Sequence, residues 1–254
     1  MAQSRARRSS HARRLYGYAR LRRALLRKLA AALDVALVLT RPDAVRSRGK
    51  KLEPSPGQGG RARAWLARDG ANRMTPEVLD ALRAVEAEIF CVAAYGCILP
   101  DEVLTMAPHG CVNVHASLLP RWRGAAPIQR SILEGDAETG VSIMRIGHGV
   151  DTGAYCAQAS CPVPGKSSDE LTAELAELGG DLLVRTLPAI ADGSAVWIEQ
   201  DESLVTHAAK IAKAELRLDP ATAPRITNVG FWHPPTLLLR AASLPESRCA
   251  SCAL

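Results

Sequence analysis

The chain has 254 residues, 47% of them hydrophobic and 23% charged, with a formal net charge of +6. That length and balance suit one large α/β domain, or a medium domain with a small one, and exclude a disordered or fibrous protein. No run approaches the roughly 18 apolar residues of a membrane span, and seven scattered cysteines behind no apolar leader favour a reducing cytoplasm over a secreted disulfide scaffold. The charge is uneven. Arg5, Arg7, Arg8, Arg13, Arg14, Arg20, Arg22, Arg23, Arg27 and Lys28 fall in residues 1–30 with no acid among them, so the remainder of the chain is net acidic. A basic partner-binding feature must therefore be local.

In chain order, residues 1–18 form a basic head without apolar periodicity, read as a solvated tail, an organelle-targeting segment or a phosphate-seeking arm. Leu21, Leu25, Leu26, Leu29 and Leu33 then repeat at helical spacing and lead into Val35–Thr40, a buried-strand pattern. A Gly-, Pro- and Ser-rich loop covers 41–60, and a helix is expected at about 61–68. Thr75-Pro76-Glu77 supplies an N-cap, a first-turn proline and an acid at the positive end of a helix running to about Ala87. Ile89–Ala94 is continuously apolar, as a strand covered on both faces should be.

Further on, 100–106 reads as a short helix, Cys111–His115 as a strand, 125–133 as a helix, and 141–146 and 154–161 as strands. Ser167-Ser-Asp-Glu170 is a capping box opening a long helix to about Ala191, with Gly179-Gly180 interrupting its pattern. The alternation predicts an α/β fold: a Rossmann-like open, mostly parallel sheet with helices on both faces, binding ligands beyond the carboxyl ends of its strands.

The chemistry concentrates in Cys111–Gly124 and in Gly149-Val-Asp151-Thr-Gly153. On a strand Asn113 and His115 share a face. An amide and an imidazole aimed at one point can stabilise an oxygen that becomes negative, and the imidazole can also move a proton. Asp151, between glycines in a turn, is the carboxylate a loop could bring to that ring. Spacing alone leaves a structural Asn-x-His pair and an ordinary turn open as alternatives. No serine or cysteine nucleophile accompanies the group, so the chemistry suggested is direct acyl transfer through a tetrahedral intermediate. The cysteines read as small buried residues in or near strands (Cys91, Cys97, Cys111), and Cys249 and Cys252 lack a second pair for zinc.

Asn113-Val-His115-Ala-Ser-Leu-Leu-Pro120-Arg-Trp-Arg-Gly124-Ala-Ala-Pro-Ile-Gln129, with Gly135–Val141 and Gly149–Gly153, closely resembles the methionyl-tRNA formyltransferases. Arg48–Pro56, Val92–Gly96, Ile98–Pro100 and Gln200–Ala208 support the resemblance, which covers roughly Val35 to Asp219. It implies the formyltransferase fold and transfer of a formyl group from 10-formyltetrahydrofolate to methionine on initiator tRNA, without a metal, by a cytoplasmic monomer in translation initiation. On the same ground Asn113 and His115 would hydrogen-bond the formyl oxygen, and Asp151 would tune His115 and assist proton removal from the ammonium. Ser117, Leu118, Leu119 and Pro120 would form part of the folate cleft, and Arg48, Lys50 and Lys51 would grip the tRNA acceptor end. Arg121 and Arg123 could face folate carboxylates or tRNA phosphates, while Trp122 is expected to pack.

The ends depart from that pattern. The family's first strand and its Gly-Thr-Pro turn are replaced by the Arg-rich head, a strand sought between Gly70 and Thr75 is shortened, and the tail is too short for the family's C-terminal barrel. The expected organisation is a head (1–18), a catalytic domain (19–192), a linker region (193–219) and an irregular tail (220–254). A reading-frame disruption at both ends would produce this pattern, and weak or no activity is expected from it. The alternatives are a formyltransferase acting on a small amine, such as glycinamide ribonucleotide or an amino sugar, and an inactive folate- or RNA-binding remnant.

Overall fold

The structure, a computed structural model, describes residues 14–40, 44–45, 52–53, 64–67, 74–95, 98–212 and 215. Helix α1 (Arg14–Ala32) leads to β1 (Leu37–Thr40), and the short strands β2 (Ala44–Val45) and β3 (Leu52–Glu53) pair antiparallel. There follow β4 (Ala64–Ala67), α2 (Pro76–Ala84), β5 (Phe90–Val92), α3 (Asp101–Leu104), β6 (Cys111–His115), β7 (Arg123–Gly124), α4 (Pro127–Leu133), β8 (Glu138–Arg145), β9 (Tyr155–Pro162), α5 (Ser168–Ala191) and β10 (His207–Ala208). The expected head, tail, Cys97, Cys249, Cys252 and the cations Arg48, Lys50 and Lys51 lie wholly or largely outside the described residues.

Strands run β5-β6-β8-β9 in the largest sheet, with β5 and β6 parallel and β8 and β9 added antiparallel. β1 and β4 form a separate parallel pair, as do β7 and β10. Helices cover both faces, as the strand–helix alternation predicts. α1, α4 and α5 bury one core around Val112, Val114, Val141 and Ile143. α2 and α3 bury a second with Cys111, Phe90 and Val92. Alternate residues of β6 thus enter opposite cores, the period-2 rule at work.

Two expectations change. The helix expected at 61–68 is not formed where the chain is described: Ala64–Ala67 is strand, paired residue for residue with Leu37–Thr40. A tertiary ladder outweighs the weak local preference of four residues. The helix expected from Leu21 begins earlier, at Arg14.

The capping box at Ser167 is present in both directions, and Glu170, accepting from Ser167, sits below the usual carboxylate range. The Gly179-Gly180 pair does not break α5. A Cβ at Gly179 would stand 2.8 Å from Val114 Cγ1, and one at Gly180 2.6 Å from Lys28 Cδ. At these glycines side chains of the sheet and of α1 approach α5 too closely for a Cβ. At the second contact Lys28 meets Asp181 at 2.5 Å and Glu177 at 3.0 Å, and Arg27 meets Glu177 at 2.7 Å. Among the described residues no helix is long and apolar enough to cross a membrane.

Candidate active site

At the carboxyl end of β6, His115 is buried, 5% exposed, and Asn113 is half-buried on the same face. The Asn113 amide has no hydrogen-bond partner among the described residues. His115 Nε2 stands 2.9 Å from the Trp122 carbonyl oxygen, which can only accept, so Nε2 carries a proton. The other ring nitrogen, Nδ1, lies 3.5 Å from Asp151 Oδ2, an ion-pair distance rather than a hydrogen bond. The structure therefore brings Asp151 to His115 as expected, and engages the ring's second nitrogen within the protein. Asn113 is left as the donor with spare capacity.

Both residues that touch the ring adopt left-handed backbone, Trp122 at φ +64 and Asp151 at φ +54. Outside glycine this costs about 1–2 kcal/mol per residue, so surrounding bonds must hold it. The Gly124 N–H donates to Asp151 Oδ2 at 3.0 Å. Gln200, itself buried, donates through Nε2 to the Asp151 carbonyl (2.9 Å) and the Gly153 carbonyl (2.7 Å). Its Oε1 accepts from Arg123 Nε at 2.8 Å. Arg123 then pairs with Glu202 through both terminal nitrogens, and that bond pulls the Glu202 carboxyl below its ordinary range.

Trp122 is fixed from three sides. Its N–H donates to Thr206 Oγ1 at 2.9 Å, its indole N–H donates to Asp136 Oδ2 at 2.7 Å, and Arg121 stacks 4.4 Å above its ring. Arg121 also donates to Asp136 through two nitrogens, which raises its pKa further. Of the two arginines offered to folate or phosphate, Arg123 is thus turned inward at 4% exposure, and Arg121 is held by an acid of its own chain. Charge pairing inside the fold removes the expected outward role of Arg123, whereas Arg121 stays 45% exposed beside Asp136. Trp122 packs, as expected.

The Ser117–Pro120 loop is pinned from beneath. Ser142 Oγ donates to the Ser117 carbonyl at 2.7 Å, the Leu119 N–H donates to Ser142 Oγ at 3.1 Å, and Gln158 Nε2 donates to the Leu119 carbonyl at 2.8 Å. Ser117 and Leu119 are buried, while Leu118 and Pro120 keep part of their surface open. The Leu119–Pro120 peptide is cis. Ser117 itself donates to the Arg121 carbonyl at 2.6 Å, so its hydroxyl holds the loop.

Cys111 is buried, donates weakly to the Val103 carbonyl, and burial pushes its thiol up to about 11. Cys91, expected to be buried, is exposed. Sequence reasoning gave no role to Gln200, Thr206, Asp136 and Gln158. The first three lie in the Gly135–Val141 and Gln200–Ala208 stretches that carry the resemblance, but their spacing does not say which groups they bond.

In comparisons with known proteins, residues 19–187 match the formyl transferase family. Methionyl-tRNA formyltransferase from Clostridium thermocellum is 16% identical over 68% of this chain and 73% of its own, with a TM-score of 0.50. A sugar N-formyltransferase from a Shewanella species is 20% identical over 70% and 67%, with a TM-score of 0.51. HypX from Aquifex aeolicus, solved with tetrahydrofolic acid, is 15% identical over 61% and 27%, with a TM-score of 0.53. At these identities the likeness is one of fold. Two further N-formyltransferases of known structure are matched over 47% and 51% of their own length, about half. The matched family region runs from α1 into α5 and contains Asn113, His115 and Asp151: the chain belongs to the formyl transferase family.

Proposed function

We propose that the chain transfers a formyl group from 10-formyltetrahydrofolate to the amine of methionine carried on initiator tRNA. The observation that supports the chemistry is Asp151 standing 3.5 Å from His115 at the carboxyl end of β6, with Asn113 two residues earlier on the same strand face. An ammonium must lose a proton before it can attack. Asp151, 18% exposed and beside Nδ1, is placed to receive that proton or to pass it to the ring.

The amine nitrogen then bonds to the formyl carbon, whose oxygen becomes negative, and the Asn113 amide donates to it. One such donor is worth about 10²–10³ in rate. Collapse breaks the bond from that carbon to folate N10, which takes up the proton that the attacking nitrogen gives up. Leu118 and Pro120, partly open above a pinned loop, support a folate cleft there.

The acceptor is inferred from the Asn113–Gln129 stretch and from the cations Arg48, Lys50 and Lys51, which suit a phosphate backbone. The test supplies the purified chain with 10-formyltetrahydrofolate and one of three acceptors: methionine-charged initiator tRNA, a nucleotide-linked amino sugar, or glycinamide ribonucleotide. Slow transfer to the tRNA alone, weakening as salt rises, is the expected result. His115→Asn and Asp151→Asn should each lower it by about 10²–10⁴. Transfer to either small amine in preference to tRNA overturns the acceptor. No transfer to any of the three overturns the enzyme reading.

A further inference from the structure

Among the described residues β1 pairs only with β4 and β5 only with β6. Each strand therefore keeps one edge of N–H and C=O groups that meets no other described strand. Between those edges lies a cavity of about 700 Å³. Its side walls are Leu37–Leu39 of β1 and Phe90–Val92 of β5. The helical walls come from Leu25 and Leu29 of α1 with Leu183 and Leu187 of α5, and from Leu82 of α2. Because α1 and α5 belong to one core and α2 to the other, the cavity is covered on both faces of the sheet. Cys91 is exposed inside a layered fold because it lines this space.

A space with strand edges on two sides and apolar helices on the other two has the outline of one missing strand. The backbone edges narrow the occupant further. A rounded apolar molecule would leave those groups unpaired, whereas an extended chain pairs them. Charge narrows it again. Glu86 and Glu88 precede β5 and line the cavity, and no basic side chain does among the described lining residues.

We infer that this slot binds an extended peptide segment of another polypeptide, basic at its first residue and apolar over about the next five, running parallel to β5 and hydrogen-bonded to both β1 and β5. The inference does not depend on formyl transfer. Binding in this mode takes affinity from main-chain bonds to both edges and selectivity from the acids at the mouth.

The probe is a fluorescein-labelled peptide, Lys-Val-Ile-Val-Val-Ala, titrated into the purified chain and followed by anisotropy, with hydrogen exchange in parallel. Saturable binding is expected, with exchange slowed by tenfold or more (about 1.4 kcal/mol) at amides of both Leu37–Thr40 and Phe90–Val92. An analogue with proline at its third and fifth positions cannot donate there and should bind at least about tenfold more weakly. Glu88→Lys, an exposed change, should weaken the lysine-headed peptide about threefold and favour a glutamate-headed one.

Equal binding of the proline analogue would reduce the slot to an apolar ligand cavity and overturn the inference. Protection of one strand only, indifference to the Glu88→Lys exchange, or no binding by about 1 mM peptide would overturn it equally. A concentration-dependent dimer that the peptide fails to dissociate, with β1 and β5 protected, would assign the slot to a second copy of this chain instead.

Discussion

Replacing Gln200 with leucine removes three hydrogen bonds at once, two to the carbonyls of Asp151 and Gly153 and one from Arg123. Neutral bonds contribute about 0.5–1.5 kcal/mol each and a bond from a charged donor about 1.5–3. The two carbonyl bonds together, about 1–3 kcal/mol, match the roughly 1–2 kcal/mol that left-handed backbone costs Asp151 at φ +54. Without Gln200, the Gly124 N–H at 3.0 Å and the 3.5 Å contact with His115 are left to oppose relaxation of Asp151 among the described residues. Asp151 should therefore leave His115.

The expected result for Gln200→Leu is a fall of about 10²-fold in single-turnover formyl transfer, with KM little changed. A lower Tm and faster amide exchange through Gly149–Gly153 should accompany it. Gln200→Glu separates the contributions: its carboxylate still accepts from Arg123 but cannot donate to the two carbonyls, so the rate should fall as far as in the leucine variant. If both variants lose Tm while keeping the wild-type rate and the wild-type exchange of the turn, Gln200 does not position Asp151 and the reasoning fails.

Thr139→Val should raise stability by about 1 kcal/mol: its buried Oγ1 has no partner among the described residues, and valine keeps the shape. A lowered urea midpoint would show that the hydroxyl is bonded after all. Gly179→Ala sets a helix-propensity gain of about 1 kcal/mol against overpacking of about 1–3 kcal/mol, because the new Cβ would meet Val114 Cγ1 at 2.8 Å. Net destabilisation is expected in urea, and a more stable protein would refute the close approach of α5 to β6.

Acid should loosen α1 from α5. Bonding to Lys28 holds the Glu177 carboxyl below its ordinary range, and bonding to Asp181 holds the Lys28 ammonium above its own. A depressed carboxylate stabilises above its unfolded pKa of about 4.3 and loses that contribution as pH falls through the lower folded value. The raised ammonium stabilises below about 10.4 and loses its share as pH rises through the folded value. Trypsin cleavage within α1 should thus be flat from about pH 5 to 10, and pepsin cleavage of α1 should rise more steeply toward about pH 3 in the wild type than in the Glu177→Gln, Asp181→Asn variant. An unchanged α1 at low pH would remove these pairs from the account of its docking.

Local chemistry made much of this protein readable in advance. β6 and its two polar residues on one face, the capping box of α5, the strands expected at 141–146 and 154–161 and found at 138–145 and 155–162, and the cover of helices on both faces each follow from a short-range rule: period two, a reciprocal cap, an apolar run. Asp151 was readable as a turn carboxylate that a loop could bring to His115, and the resemblance gave it its role there.

The remainder depended on partners distant in the chain. Ala64–Ala67 is a strand because β1 lies beside it, which no window of four residues reports. Arg123 looks like an outward cation in sequence and is inward because Gln200 and Glu202 return to it from the far end of the domain. The slot between β1 and β5 is a relation between two edges and has no residues of its own to read. Sequence by itself determined which side chains share a strand face or a helix cap, since those follow from backbone geometry within a few residues. Only the tertiary structure decided which carboxylate meets which ring, which arginine is neutralised and which strands pair among the described residues, because each is settled by long-range packing and pairing.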